Sequence, residues 1–234
     1  MPNDSKIIVA LDYPDAKQAN QFISQIEAGS CKLKIGKELF TAEGPRFVET
    51  LVDKGFDVFL DLKFHDIPNT VARACSVAAD LGVWMVNVHA LGGRKMMMAA
   101  REALASKQTP PLLIAVTILT SMGKEDINEL GLAGEPDDHV SNLAALAEQA
   151  GLDGVVCSPR EVSMLRTQRK QDFQLITPGI RPAESEVGDQ KRIMTPSDAI
   201  KAGSSFLVIG RPITQASDPA SALALINQEV AACL

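Results

Sequence analysis

The sequence predicts an α/β protein in which eight strand-and-helix units close into a (β/α)8 TIM barrel. Short runs rich in β-branched and aliphatic residues alternate, along the whole chain, with segments whose apolar residues follow a helical spacing. No linker rich in Pro, Gly or Ser interrupts the alternation, so a single domain over residues 1–234 is expected. The main alternative is a doubly wound open sheet. The first strand lacks a following Gly-x-Gly-x-x-Gly, however, which removes the best sequence evidence for a dinucleotide fold.

Eight segments have the composition of buried strands. They lie at residues 7–12, 31–36, 57–64, 83–90, 112–119, 154–157, 173–179 and 205–210. Helices are indicated between them, for example over residues 140–147, where four apolar residues fall at i, i+3, i+4 and i+7. A capping residue followed by proline, a common start of a helix, occurs at Ser158, Thr195 and Asp218.

Composition and charge exclude several classes of protein. Hydrophobic residues make up 46% and charged residues 22% of the 234 residues, which excludes disordered and fibrous classes. The net charge of -6 argues against general nucleic-acid binding, although a small anion pocket remains open. The first six residues form no signal core, and the longest apolar run, at residues 112–119, is too short to cross a bilayer. We therefore expect a cytoplasmic protein with no membrane or nucleic-acid partner.

The four cysteines are too widely separated for a zinc site or a redox pair. We expect them to be reduced thiols in the core.

Two charged residues interrupt the third predicted strand. Residues two apart in a strand share a face, so one face of this strand is apolar and consists of Val58, Leu60, Leu62 and Phe64. Asp61 and Lys63 must then point into the barrel mouth at the carboxyl end of the strand, where barrel enzymes place catalytic groups. An isolated Asp-x-Lys pair is more often a solvated ion pair. Here, however, Lys34 and Asp12 from the two preceding strands reach the same rim, so four charged groups are expected to converge.

The segment that begins at Asp61 carries a resemblance to a known family. Asp61-x-Lys63-x-x-Asp66-Ile67-Pro68-Asn69-Thr70 resembles the signature of the orotidine 5'-phosphate decarboxylases. Other segments resemble that family in the same order along the chain: Leu11-Asp12, Lys34-Ile35-Gly36, His89-Ala90, Leu119-Thr120-Ser121, Thr177-Pro178-Gly179-Ile180-Arg181 and Ile209-Gly210-Arg211-Pro212. Each fragment alone is only weakly specific for the family, but the ten-residue segment and the ordered set together are strong evidence for the resemblance.

The resemblance implies an activity and an assembly. The activity is the decarboxylation of orotidine 5'-phosphate to uridine 5'-phosphate and carbon dioxide, the last step of de novo pyrimidine biosynthesis, without metal or cofactor. The implied catalytic residues are Lys34, Asp61, Lys63 and Asp66. Lys63 would stabilise a carbanion at C6 of the pyrimidine and donate a proton to it. Asp66 and Thr70 would serve the neighbouring site of a homodimer with shared active sites.

The resemblance also implies how the substrate is bound. Asp12, Lys34 and Thr70 would contact the ribose hydroxyls, and either Thr120 or Ser121 would contact the amide edge of the pyrimidine. The phosphate would meet residues that follow strands seven and eight, namely Gly179, Arg181, Gln190, Gly210 and Arg211. The expected substrate contacts also include Asp61, Asp66 and Ile67. Residues 181–192 would form a lid.

Two other functions remain open at this point. A magnesium-dependent sugar-phosphate decarboxylase or synthase shares the Asp-x-Lys-x-x-Asp framework, although the Ile67-Pro68-Asn69-Thr70 continuation and the Thr120-Ser121 segment argue against it. A catalytically idle barrel that binds a nucleotide or a protein is the second. Metal dependence distinguishes the first alternative from the decarboxylase, and turnover of the substrate distinguishes the decarboxylase from the second alternative. His65 and His89 are assigned no proton-transfer role, and His89 is expected to support packing or a hydrogen bond.

Overall fold

A closed barrel of eight parallel strands forms the centre of the protein. The structure is a computed structural model that describes residues 5–182 and 194–234. Its strands pair in chain order until the last pairs with the first. They are β1 Ile7–Ala10, β2 Lys32–Gly36, β3 Val58–Phe64, β4 Met85–His89, β5 Leu112–Val116, β6 Gly154–Val156, β7 Gln174–Thr177 and β8 Phe206–Ile209. All eight predicted strands are confirmed, and each is shorter than predicted at one or both ends.

Helices cover the outside of the barrel. They are α1 Ala16–Ile23, α2 Lys37–Glu43, α3 Pro45–Asp53, α4 Pro68–Asp80, α5 Gly93–Ala105, α6 Lys124–Glu129, α7 Pro136–Gln149, α8 Val162–Gln168, α9 Pro196–Ala202, α10 Arg211–Thr214 and α11 Pro219–Ala231. The predicted helix starts are confirmed. Thr195 accepts a hydrogen bond from the Asp198 N–H at 3.2 Å, and Asp218 accepts one from the Ser221 N–H at 3.0 Å. Ser158 begins a 3-10 turn that leads into α8.

The protein has two apolar cores, one inside the barrel and one between the barrel and the surrounding helices. Alternate residues of the strands point inward and pack on one another, among them Ile8, Phe59, Met85, Ile114 and Ile176. The residues between them point outward and pack against the helices, as the period of a strand requires. The predicted apolar face of β3 belongs to this outer core, so its intervening residues face the barrel axis. This division is what directs Asp61 and Lys63 toward the mouth.

The cysteines agree with the expectation of reduced thiols. All four are free; Cys31, Cys75 and Cys157 are buried and Cys233 is half-buried. Burial raises the pKa of the Cys31 and Cys75 thiols to about 12, so both stay protonated at neutral pH. Of the helices in the described ranges, none has the length and apolar character that a bilayer crossing requires.

Candidate active site

Four charged side chains form a continuous chain of ion pairs at the carboxyl ends of β1, β2 and β3. The Lys34 ammonium lies 3.2 Å from an Asp12 oxygen and 3.5 Å from an Asp61 oxygen. The other Asp61 oxygen accepts a hydrogen bond from Lys63 Nζ at 2.5 Å. Lys34 and Asp61 are almost buried, with side chains 11% and 12% exposed, whereas Asp12 is 67% exposed. The structure therefore brings together the four charges that were expected to converge, with alternating sign.

Opposing effects act on the pKa of Asp61. Burial of its carboxyl group raises the pKa, because a desolvated carboxylate is unfavourable. The charges of Lys34 and Lys63, and hydrogen bonds from Lys63 and Asn87, lower it and together outweigh burial. The pKa of Asp61 is consequently below its ordinary value. Asp61 is thus a fixed anion at neutral pH between two lysines.

Asn87 belongs to this site, and sequence reasoning missed it. Its side chain is fully buried, points inward from β4, and donates a hydrogen bond to Asp61 Oδ1 at 2.7 Å. A signal was available: Asn87 is the polar residue within the apolar run Met85-Val86-Asn87-Val88, on the same face as Met85. A buried amide requires partners, and in a barrel strand those partners lie across the sheet.

A small apolar cavity lies beside the charges. It has a volume of about 180 Å³, and Lys34, Asp61 and Lys63 line one part of it. The remaining wall is mostly apolar and includes Phe59, Val116, Ile118, Val156, Ile176 and Val208. Ion pairs next to an apolar wall act in a low-dielectric setting, where electrostatic interactions are stronger than in water. The cavity can therefore hold a flat, weakly polar ring against a lysine.

The structure distinguishes the two residues expected at the pyrimidine edge. Thr120 lines the cavity and is half-buried, whereas Ser121 is exposed and does not line it. Both follow β5 in a loop, and the sequence contains nothing that separates two adjacent hydroxyl residues. Thr120 is the better placed of the two.

Two arginines that follow β7 and β8 interact electrostatically. Burial lowers the pKa of Arg181, and the nearby positive charge of Arg211 lowers it further. Gly179 has a left-handed backbone, with φ of 80°, and Gly210 lies beside Asp12. Two guanidinium groups and glycine backbone N–H groups are group types that suit an anion such as a phosphate. Gln190 and most of the expected lid at residues 181–192 lie outside the described residues.

Asp66, Ile67 and Thr70 do not join the ion-pair chain within this subunit. All three are exposed at the start of α4, and Ile67 is 67% exposed. The Asp66 carboxylate accepts a hydrogen bond from the Ile67 N–H at 2.6 Å. All three side chains are therefore accessible from outside this subunit.

His65 and His89 stack beside the mouth, with ring centroids 5.3 Å apart. His89 Nδ1 accepts a hydrogen bond from the Leu91 N–H at 3.4 Å, which requires an unprotonated Nδ1. Burial first, and then the charges of His65, Lys37 and Lys63, lower the pKa of His89 from 6.5 to about 4. His89 is therefore a neutral hydrogen-bond acceptor at the end of β4, as expected.

His89→Asn should weaken the pH dependence of stability, because asparagine retains an acceptor for the Leu91 N–H but does not titrate. The wild type keeps this imidazole neutral, whereas the unfolded chain protonates it below pH 6.5. The contribution of His89 is complete above pH 6.5 and disappears as the pH falls toward 4. Urea unfolding at pH 7 and pH 5 should show a smaller loss of stability in the variant. His139→Asn in α7 is the control, and an unchanged pH dependence in His89→Asn would contradict the assignment.

Within residues 5–182 and 194–234, no group of three or more His, Cys, Asp or Glu side chains is arranged to hold a metal ion.

Comparison with known proteins identifies the family of the chain. The model of the orotidine 5'-phosphate decarboxylase / HUMPS family matches residues 5–226. The chain is 60% identical over 227 residues to the orotidine 5'-phosphate decarboxylase of Hydrogenovibrio crunogenus, covering 97% of this chain and 96% of that protein. It is 59% identical over 229 residues to the enzyme of the same name from Pseudoalteromonas atlantica, covering 97% and 99% of the two chains.

A solved structure gives the same result for the fold. The crystal structure of orotidine 5'-phosphate decarboxylase from Lactobacillus acidophilus superimposes with a TM-score of 0.88 at 40% identity, and covers 97% of this chain and 99% of that one. The expected resemblance is thus confirmed over nearly the full length, and the chain belongs to the orotidine 5'-phosphate decarboxylase / HUMPS family.

Proposed function

We propose that this protein converts orotidine 5'-phosphate to uridine 5'-phosphate and carbon dioxide, the last step of de novo pyrimidine biosynthesis. The observation that carries the proposal is the alternating chain of Lys34, Asp61 and Lys63 beside an apolar cavity. Relatives at 59–60% identity bear the name of this decarboxylase, which supports it over the sugar-phosphate enzymes of the same family.

The chemistry requires stabilisation of a negative charge. When the bond between C6 and the carboxyl carbon breaks, carbon dioxide leaves and the electron pair remains on C6, where the ring cannot delocalise it. Lys63 supplies a fixed positive charge beside the cavity, and its ammonium donates the proton that completes the product. Asp61 holds Lys63 at 2.5 Å and so fixes that charge before the substrate reacts. Proton uptake from solvent restores the Lys63 ammonium.

Residues on the rim of the barrel recognise the substrate. Asp12 and Lys34 bind the ribose hydroxyls, and Thr120 binds the pyrimidine edge from the cavity wall. The proximity of Arg181 and Arg211 supports a phosphate site between β7 and β8, with Gly179, Gly210 and Gln190 as its further members. Binding energy from this remote group is available to orient the reacting ring.

A homodimer with shared sites completes the proposal. Asp66, Ile67 and Thr70 would extend from the start of α4 into the partner's site, with Asp66 adding a carboxylate to the partner's charges. The exposure of these residues supports this arrangement, as does the apolar side chain of Leu91, which is 44% exposed after β4. Exposed apolar groups beside a polar rim are typical of an interface between subunits.

Turnover of orotidine 5'-phosphate in a buffer that contains a strong chelator tests the function directly. We expect the absorbance of the substrate to fall at the same rate with and without the chelator, because Lys63 supplies the stabilising charge. Loss of turnover on chelation, restored by magnesium, would favour the sugar-phosphate alternative. Binding of uridine 5'-phosphate without any turnover of the substrate would favour an idle barrel.

A further inference from the structure

The pairing of β3 with β4 is interrupted at the site. Leu60 lies opposite Val86 and Phe64 lies opposite Val88, so four residue steps on β3 correspond to two on β4. The two additional residues of β3 bulge at the segment that carries Asp61 and Lys63. Bulges re-aim side chains and leave backbone groups without ladder partners. Asn87 is the β4 residue that faces this bulge.

Lys63 has an unusual backbone conformation. Its φ is 54°, and it is the only residue other than glycine with a positive φ in the described parts of the chain. This left-handed region is unfavourable for a long side chain and persists only where the surroundings enforce it. The Lys63 N–H donates a hydrogen bond to Asn87 Oδ1 at 2.8 Å. The side chain of Asn87 thus takes the place of a missing ladder acceptor and holds the turn.

The other end of the same amide holds Asp61. Asn87 Nδ2 donates to Asp61 Oδ1 at 2.7 Å, and this oxygen also accepts from Lys63 Nζ at 2.5 Å. Asn87 is completely buried, so water does not compete for either bond. A carboxamide has the acceptor and the donor that the two partners require, whereas aspartate offers no donor when ionised and leucine offers neither.

We propose that Asn87 is a positioning residue that sets the relative placement of Lys63 and Asp61 by holding the backbone of one and the carboxylate of the other. The expected effect on kcat rests on the proposed function. The hydrogen bonds that motivate the proposal do not depend on that function. Without Asn87, the Lys63 backbone loses its anchor and Asp61 loses a donor. The Lys63 ammonium then occupies its position beside the reacting carbon in a smaller fraction of the molecules. This change lowers kcat more than it raises KM.

Two substitutions separate positioning from folding. Asn87→Leu has a similar size and removes both hydrogen bonds, and it should lower kcat about 100-fold while KM changes only a few-fold. Asn87→Asp retains the acceptor for the Lys63 N–H but places a second carboxyl group against Asp61. Because two adjacent carboxyl groups share a proton at lower pH, the kcat of this variant should be about tenfold higher at pH 6 than at pH 8. The wild type should show no such gain.

Thr117→Val is the matched control. Thr117 is also fully buried and donates one hydrogen bond, to the Val156 carbonyl at 3.1 Å, but it does not line the cavity. Its loss removes a buried hydrogen bond without touching Lys63 or Asp61, so kcat should stay within about threefold of the wild type. The melting temperature of each variant shows whether it is folded.

Labelling gives a second measurement that does not depend on turnover. Acylation by acetic anhydride, followed by mass spectrometry, should proceed at a different rate at Lys63 in Asn87→Leu, with exposed Lys17 unchanged. A folded Asn87→Leu protein with wild-type kcat and wild-type labelling of Lys63 would overturn the proposal. So would loss of the fold in both Asn87 variants, because Asn87 would then serve the fold alone. If the wild type does not turn over orotidine 5'-phosphate, the proposed function fails and the labelling result decides the role of Asn87.

Discussion

Lys63→Ala should reduce the turnover of orotidine 5'-phosphate by a factor on the order of 10⁴ or more, since it removes the group that we propose as both the stabilising charge and the proton donor. Lys63 lies 2.5 Å from Asp61 and lines the apolar cavity, where no other described lysine besides Lys34 is found. Binding of uridine 5'-phosphate should remain within a few-fold of the wild type, because the proposed ribose and phosphate contacts are made by other residues. Steady-state kinetics and calorimetric titration measure the two effects separately.

Lys17→Ala provides the control for the loss of a lysine. Lys17 is exposed in α1 and does not line the cavity, so its removal should leave turnover unchanged. Turnover of Lys63→Ala within a few-fold of the wild type would remove Lys63 from the mechanism. Equal losses in turnover and in product binding would instead assign Lys63 to binding.

Mixing Asp66→Ala chains with Lys63→Ala chains should restore activity that neither variant has alone. In the proposed dimer, each site uses its own Lys63 and the partner's copy of Asp66. A heterodimer of the two variants therefore contains one intact site and one site that lacks both groups. Random exchange makes half of the dimers heterodimers, so about a quarter of the wild-type activity is expected.

A second mixture controls for this effect. Asp61 and Lys63 lie in the same barrel, so chains with Asp61→Ala and chains with Lys63→Ala cannot form an intact site together. Their mixture should stay inactive. If subunit exchange is demonstrated and Asp66→Ala with Lys63→Ala recovers nothing, Asp66 does not act across the interface. Retention of full activity by Asp66→Ala alone would exclude it from the site altogether.

The charged part of the site could be predicted because simple rules of geometry apply to it. In a strand, alternate residues share a face, and in a parallel barrel all carboxyl ends meet at one rim. These two rules suffice to bring Asp12, Lys34, Asp61 and Lys63 together without knowledge of any contact. Resemblance to the family then supplied the activity and the expected roles of the substrate-binding residues.

The arrangement around Lys63 could not be predicted in the same way. A regular strand would give Lys63 an extended backbone, but β3 bulges and its φ becomes 54°. Similarly, nothing local distinguishes Thr120 from Ser121, and the proximity of Arg181 to Arg211 depends on how β7 and β8 end. Contacts across strands depend on register, and register is set by the packing of the whole barrel.

The sequence by itself determined the eight strand segments and the helices between them, the face on which Asp61 and Lys63 lie, and the end of the strands where the charges meet, whereas closure of the sheet into a barrel was favoured over an open sheet and is settled by the pairing of β1 with β8. It did so because hydrophobic periodicity specifies which side of each element is buried. Only the tertiary structure decided that Asn87 holds both Lys63 and Asp61. Asn87 lies 24 residues from Lys63 along the chain, and the two become partners because the bulge in β3 leaves a backbone N–H that the ladder does not satisfy.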